Sequence, residues 1–195
     1  MNHLKDGRLG RNNWYVITGG PCSGKTTIVN ILAERGYKTT VEDARHYIDS
    51  QLAIGKTVKE IRKHQAEFQL KVLNLQIEQE SSLSPDEVVF LDRAIPDARA
   101  YYRFLDIPED DVLTKMMAIV SYKKIFILDY LPLVEDYARH EDRAAQKKIH
   151  QMITDVYESL PFPVIHVPVR PAKERVDFIL QNLNDPVVKG EPFAI

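Results

Sequence analysis

The sequence predicts a doubly wound α/β sandwich, a parallel sheet with helices on both faces. Three observations lead there: short runs that are apolar at nearly every position, helical periodicity between them, and no repeat, low-complexity tract or linker that would divide the chain. A sheet buried on both faces requires continuous apolar strands. Strand alternating with helix is closed by right-handed crossovers.

Each element can be read in order. "MNHLKDGRLGRNN", residues 1–13, is polar, lacks the apolar centre of a signal segment, and is expected to be a flexible lead-in. "WYVIT" at Trp14–Thr18 is the first strand. In the helix that follows, Ile28, Ile31 and Leu32 recur at helical spacing and Gly36 supplies the stop. "YKTTV" at Tyr37–Val41 is a weaker strand. From Thr57 to about Ser81, Val58, Ile61, Phe68, Val72 and Leu75 predict one long helix, with Leu70, Leu73 and Ile77 widening its buried face. "VVFLD" at Val88–Asp92, "IFILD" at Ile125–Asp129 and "VIHVPV" at Val164–Val169 are the remaining strands. "EDRAAQKKIHQMITDVYESL" and "AKERVDFIL" are the remaining helices. With 195 residues, a single domain over 14–195 is expected.

Composition excludes several functions. The chain is 44% hydrophobic and 28% charged with a formal net charge of −2, so no global field draws it to nucleic acid or anionic lipid. Its one cysteine, Cys22, rules out an intramolecular disulfide and a Cys-rich zinc site, and a reducing cytoplasm is expected. No apolar run approaches the roughly 20 residues that span a bilayer. The expected partner is a small molecule, with neither nucleic acid nor membrane, and the oligomeric state is left open.

The chemistry is concentrated in "ITGGPCSGKTTIVN". Gly19, Gly24, Lys25 and Thr26 satisfy G-x-x-x-x-G-K-[ST] between a predicted strand and a predicted helix. Glycines let the backbone curl so that successive N–H groups face phosphate oxygens, and the helix beginning at Lys25 adds its positive dipole end. Lys25 is expected to reach the β- and γ-phosphates and Thr26 to ligate Mg²⁺. Thr27 is either an α-phosphate contact or a first-turn residue. Cys22 is either a thiol activated by the helix end or a small residue filling the loop.

Two predicted strands end in a carboxylate, Asp92 and Asp129. Ligands in open α/β sheets bind beyond the carboxyl ends of strands near the switch point, and the third strand of P-loop kinases lies beside the first. Asp92 is therefore the catalytic or metal-associated candidate, and Asp129, followed by "YLP", takes a structural role. A hydrolysing ATPase commonly has Glu after this Asp to activate water; here Arg93 follows, suited to an anionic acceptor or a moving phosphoryl group, or else a solvated strand end.

"VEDARHYID" adds Glu42 and Arg45, three apart at a helix start and so projecting together. They read as general base and anion clamp, or as surface charges. Arg139 and Arg143, four apart in "YARHEDRAAQ", read as a lid over the phosphates or as solvated helix charges. In "VPVRPAKERVDFI", Val169 or Pro171 is placed to pack on a nucleotide base.

With these residues in place, the chain resembles the P-loop kinase superfamily, close to nucleoside and nucleoside-monophosphate kinases. "FLDR" resembles the Asp-Arg motif of thymidylate-type kinases, and "EDARHYI" the Glu-x-x-Arg segment of the nicotinamide riboside kinase domain in NAD-biosynthesis proteins. "ITGGPCSGKTT", "VEDAR", "VVFLDRAIPDARAYYRF", "RHEDRAAQKKIH" and "VPVRPAKERVDFIL" together are similar to a widespread family of AAA-type ATPases grouped with that riboside kinase domain. The resemblance spans most of Trp14 to Leu180.

It implies a P-loop NTPase three-layer sandwich with a five-stranded sheet in the order 2-3-1-4-5. It implies ATP and Mg²⁺ at Gly19, Gly20, Pro21, Cys22, Ser23, Gly24, Lys25, Thr26 and Thr27, with Asp92 sharing the metal. It further implies an acceptor site at Glu42, Arg45 and Arg93, and lid arginines at Arg139 and Arg143. Arg93 after Asp92 departs from the riboside kinase pattern. The expected activity is transfer of the ATP γ-phosphoryl group to a nucleoside, nucleotide or similar metabolite, with Asp92 or Glu42 as base. The alternative is a nucleotide-dependent regulatory or switch protein, or a simple ATPase; a guanine-specific switch lacks its Asn-Lys-x-Asp box, and a motor ATPase lacks both the Glu after Asp92 and a transporter signature.

Overall fold

Alternate residues of a strand face opposite sides of its sheet, and here both sides are apolar. In a computed structural model, which describes residues 12–132 and 142–183, the strands β1 (Trp14–Thr18), β2 (Lys38–Thr39), β3 (Val89–Asp92), β4 (Lys124–Leu128) and β5 (Val164–Val167) form one parallel sheet. Their order is β2-β3-β1-β4-β5, as predicted.

Val16, Leu91, Ile125 and Ile127 enter one cluster; Tyr15, Ile17, Phe90, Phe126 and Leu128 enter the other. The second is covered by α1 (Lys25–Glu34) and α8 (Ala172–Gln181). The first is covered by α4 (Gln65–Ser81), α5 (Ile95–Phe104), α6 (Asp111–Met117) and α7 (Arg143–Glu158). Each fully buried Val, Ile, Leu or Phe contributes about 1.5–3 kcal/mol, which fixes the sheet between its helical layers. No helix among the described residues is long and apolar enough to cross a membrane.

Local chemistry sets the helix ends. After α1, the Gly36 N–H donates to the Ala33 carbonyl (2.9 Å) and that of Tyr37 to Leu32 (3.1 Å), a Schellman stop. The single helix expected over 57–81 is divided into α3 (Val58–Ile61) and α4. Thr57 and Glu60 close a capping box at the start of α3. Arg62 lies over the Phe68 ring, 5.6 Å from its centroid, where the chain turns before α4. Leu70, expected in the core, is exposed, whereas Gln69, Gln76 and Glu80 of the same helix are buried.

Two further helices follow β3. α5 begins with Pro96 in its first turn and Asp97 accepting from the Ala94 N–H (3.3 Å); α6 begins with Asp110 accepting from Leu113 (2.8 Å). Near the β2 edge, Ile48 of α2 (Asp43–Ala53) packs with Phe68 and Val72 in a small separate cluster.

Candidate active site

Strand register places the site. Ile17 pairs with Asp92 on one side and Phe126 on the other, so the carboxyl end of β3 stands level with the chain as it leaves β1 for Gly19. Gly19 has φ +140°, and a Cβ there would lie 2.5 Å from the Leu128 carbonyl oxygen. Only glycine fits this turn. Gly24 caps α1, which starts at Lys25 as the motif requires.

The loop is held from all sides. Its carbonyls accept from neighbouring elements: Pro21 from Gln146 Nε2 (2.9 Å), Cys22 from the Leu131 N–H (2.8 Å), and Ser23 from Arg175 (2.7 Å). Arg175 is buried and also donates to Val167 and Asp129 carbonyls, both at 3.1 Å, tying the loop to the ends of β4 and β5. The Gly20 N–H donates to His150 Nδ1 (3.2 Å). Cys22 is buried at φ +55°, filling the turn.

Lys25 is buried, and its Nζ donates to Gly19 (3.0 Å), Gly20 (2.9 Å) and Ser23 Oγ (3.1 Å). Burial, and then the Arg93 guanidinium, push its ammonium down, with Glu42, Asp92 and Asp97 opposing. A bound polyphosphate would add negative charge and push it back up. Thr26 and Thr27 stand exposed on the first turn of α1.

Asp92 ends β3 as expected. Its N–H donates to Thr40 Oγ1 (2.9 Å), while its buried Oδ1 has no hydrogen-bond partner among the described residues. Burial, and then Glu42, push this carboxyl up. An orphaned carboxylate oxygen is a donor awaiting a cation or a proton. No group of three or more His, Cys, Asp or Glu side chains among the described residues is arranged to hold a metal unaided. Mg²⁺ takes one or two protein oxygens and fills its octahedron with phosphates and water, and the Asp92 carboxylate and the Thr26 hydroxyl are oxygens of the kind it takes.

Arg93 is not a solvated strand end. It is 8% exposed, with its backbone in the left-handed region at φ +70°, a conformation a non-glycine residue holds only when its surroundings impose it. Its Nε donates to Glu42 Oε1 (3.2 Å), and one terminal nitrogen to Asp97 Oδ1 (2.8 Å) and the Gly19 carbonyl (3.5 Å). The other terminal nitrogen reaches the Tyr101 hydroxyl (3.4 Å). Asp97 in turn accepts from Thr18 Oγ1 (2.8 Å) and the Tyr157 hydroxyl (2.6 Å). One guanidinium thus joins the phosphate loop, α2 and α5.

Glu42 caps α2, and its Oε2 lies 3.7 Å from Arg45 Nε, so the pair projects together as expected. Both line a cavity of about 340 Å³ with Arg93. Ile48, Phe68, Val72, Tyr101 and Phe104 form its apolar walls, and Gln69 and Gln76 of α4 bring amides into it. Gln76 is 4% exposed, and its Oε1 has no hydrogen-bond partner among the described residues.

The other predicted residues fall as follows. Arg139 lies outside the described residues, and Arg143 is the exposed first residue of α7. Val169 is exposed, and the main chain of Asp129, expected to be structural, bonds to Val167 and Arg175. Sequence reasoning missed Asp97, Gln69, Gln76, Gln146, His150 and Arg175. Polar residues at 69, 76 and 80 interrupt an otherwise apolar face of α4, a signal that was present in the sequence; the rest read as surface.

Residues 14–175 match a family model described as an AAA domain (AAA_28). The chain belongs to this family. No curated protein sequence matches it. Among solved structures it is similar to a NadR protein in complex with NR, at 17% identity and TM-score 0.61 over 93% of this chain and 54% of that one. It is similar to deoxyadenosine kinase from M. mycoides with bound dATP, at 16% identity and TM-score 0.58 over 88% and 100%. Thymidylate kinase from Candida albicans follows at 16% identity and TM-score 0.57 over 88% and 90%. The chain thus spans about half the length of the NadR protein. At these identities the likeness establishes the fold of P-loop kinases.

Proposed function

We propose that the protein is a small-molecule kinase that moves the γ-phosphoryl group of ATP to a hydroxyl of a ring-bearing metabolite such as a nucleoside or nucleotide. The observation that carries this is Glu42: a carboxylate held by Arg93, which also reaches the phosphate loop, opens into a cavity with aromatic walls and buried amides. A hydrolase needs only room for water; a cavity of about 340 Å³ is of ligand size.

Glu42 lines the cavity and Asp92 does not, so Glu42 is the base and Asp92 the metal-associated carboxylate. Glu42 takes the proton of the acceptor hydroxyl as its oxygen bonds to the γ-phosphorus; the bond from that phosphorus to the β,γ-bridging oxygen breaks, and ADP leaves. Lys25 neutralises charge on the β- and γ-phosphates, and Arg93, with Arg45, orients the acceptor. Thr26 and Asp92 would hold Mg²⁺, which when bound would supply electrostatic stabilisation of the phosphates. Arg143, at the start of α7, adds positive charge towards the transferring phosphoryl group, the role also expected of Arg139. A small-molecule acceptor in the cytoplasm, with no nucleic acid or membrane partner, completes the proposal.

Incubation with labelled ATP, Mg²⁺ and a panel of nucleosides and nucleotides tests it. A labelled acceptor is expected, and chelation of the metal should abolish it. Phosphate release with no labelled product across a broad panel would replace transfer by hydrolysis.

A further inference from the structure

Helix α7 lies flush on the phosphate loop. A Cβ at Gly20 would come within 2.8 Å of the His150 Cβ and 3.2 Å of the Gln146 carbonyl oxygen. Gln146 and His150 are four apart on α7 and share a face. Gln146 donates to the carbonyls of Pro21 (2.9 Å) and Leu131 (3.0 Å). His150 Nδ1 accepts the Gly20 N–H at 3.2 Å, which requires that nitrogen to carry no proton. The Tyr130 ring stands edge-on to the imidazole at 5.1 Å and holds its orientation.

We propose that His150 is a positioning residue: its neutral imidazole sets the course of the phosphate loop at Gly20, so nucleotide affinity depends on its protonation. This rests on the reading of the loop as an ATP site. Protonated, the ring would point an N–H at the Gly20 N–H, donor against donor, and the contact is lost while Gln146 keeps its own. Burial holds the imidazole below its ordinary value; Asp129 beyond β4 opposes this, and His166 of β5 and Lys25 of α1 reinforce it. The loop is therefore in its binding shape at neutral pH and loses it as pH falls below the usual imidazole range.

The test is the Kd of ATP with Mg²⁺, measured by calorimetry from pH 8 to pH 5 for the wild type, His150→Asn and His150→Leu. Asparagine offers an oxygen near the place of Nδ1 and does not titrate. At pH 8 His150→Asn should bind like the wild type and His150→Leu about tenfold more weakly, the scale of a stranded buried donor. Towards pH 5 the wild type should weaken by about that factor beyond whatever His150→Asn shows, because protonation of ATP itself is common to both. In transfer assays the leucine variant should raise KM for ATP and leave kcat in place. Parallel pH profiles for the wild type and His150→Asn, or wild-type affinity in His150→Leu at pH 8, would overturn the proposal. If the leucine variant fails to fold, the asparagine comparison decides alone. If no protein binds ATP at any pH, the ATP reading falls and this one falls with it; binding without transfer would remove only the kinase reading.

Discussion

The glycine-rich loop and the cavity beside Glu42 meet at Arg93 and are built by opposite means. The loop is backbone: glycine turns, carbonyls accepting from Gln146, Leu131 and Arg175, and one lysine returned into its own curve. The cavity is side chains, brought from α2, α4 and α5 and facing one another across long stretches of sequence. A loop made of backbone tolerates few substitutions. A cavity made of side chains can be re-cut without disturbing the sheet. On the proposed function, nucleotide binding and acceptor choice are thus separated in space, with Glu42 and Arg93 at the border.

Substitutions on each side should separate them in kinetics. The largest effect is expected at Lys25: Lys25→Ala should reduce kcat/KM on the order of 10³-fold or more by removing charge that faces the phosphates. Asp92→Asn should stop turnover to a similar extent while sparing much of the ATP binding measured by calorimetry. Normal turnover in Asp92→Asn would move the metal role elsewhere.

Glu42→Gln comes next, with kcat reduced about 10²- to 10⁴-fold and KM for ATP little changed. A rise in KM for ATP with kcat preserved would show the two regions to be one. On the cavity side, Gln76→Leu should raise KM for the acceptor by about tenfold, the value of one buried hydrogen bond made only to the ligand. It should leave KM for ATP alone; an equal rise in both would contradict the separation.

The smallest effect lies beneath the cavity and concerns stability. Glu80 accepts from the Ile95 N–H and the Tyr122 hydroxyl, each at 3.0 Å, and burial pushes its carboxyl up to about 7. The native protein therefore keeps a proton that the unfolded chain releases near its ordinary value of 4.5. Its contribution is greatest below that value and is lost as pH rises towards about 7, at most on the order of 3 kcal/mol. Asp43, pushed up to about 6 by burial, acts in the same direction. Thermal melts at pH 5 and pH 8 should show the wild type losing several degrees that Glu80→Gln does not lose. Equal slopes would mean that Glu80 is ionised in the fold.

How much of this was legible follows the same division. Strands buried on both faces leave continuous apolar runs, and a backbone loop needs its glycines and lysine at fixed spacing, so the strands and the loop motif could be read from single segments, while the sheet order came with the family resemblance. The break between α3 and α4 falls on Arg62, Lys63 and His64, with no glycine or proline to mark it, and the exposure of Leu70 depends on which helices cover α4. Glu42 and Arg93 were each legible, but not that they touch, since 51 residues separate them. Gln146, His150 and Arg175 look like surface residues in sequence because their partners are loop carbonyls and an amide, which have no residue signature.

The pairing of Ile17 with Asp92 has a practical side. Successive side chains of a strand face opposite ways, so a β3 mispaired by one residue would present Leu91 or Arg93 where the carboxylate belongs. On the proposed reading of Asp92, a chain assembled with that error would fail to hold a divalent cation, however folded it looked by circular dichroism. Retention on an immobilised ATP column in Mg²⁺ would then sort correctly paired molecules from their misassembled siblings, making ligand capture a quality control for refolded preparations.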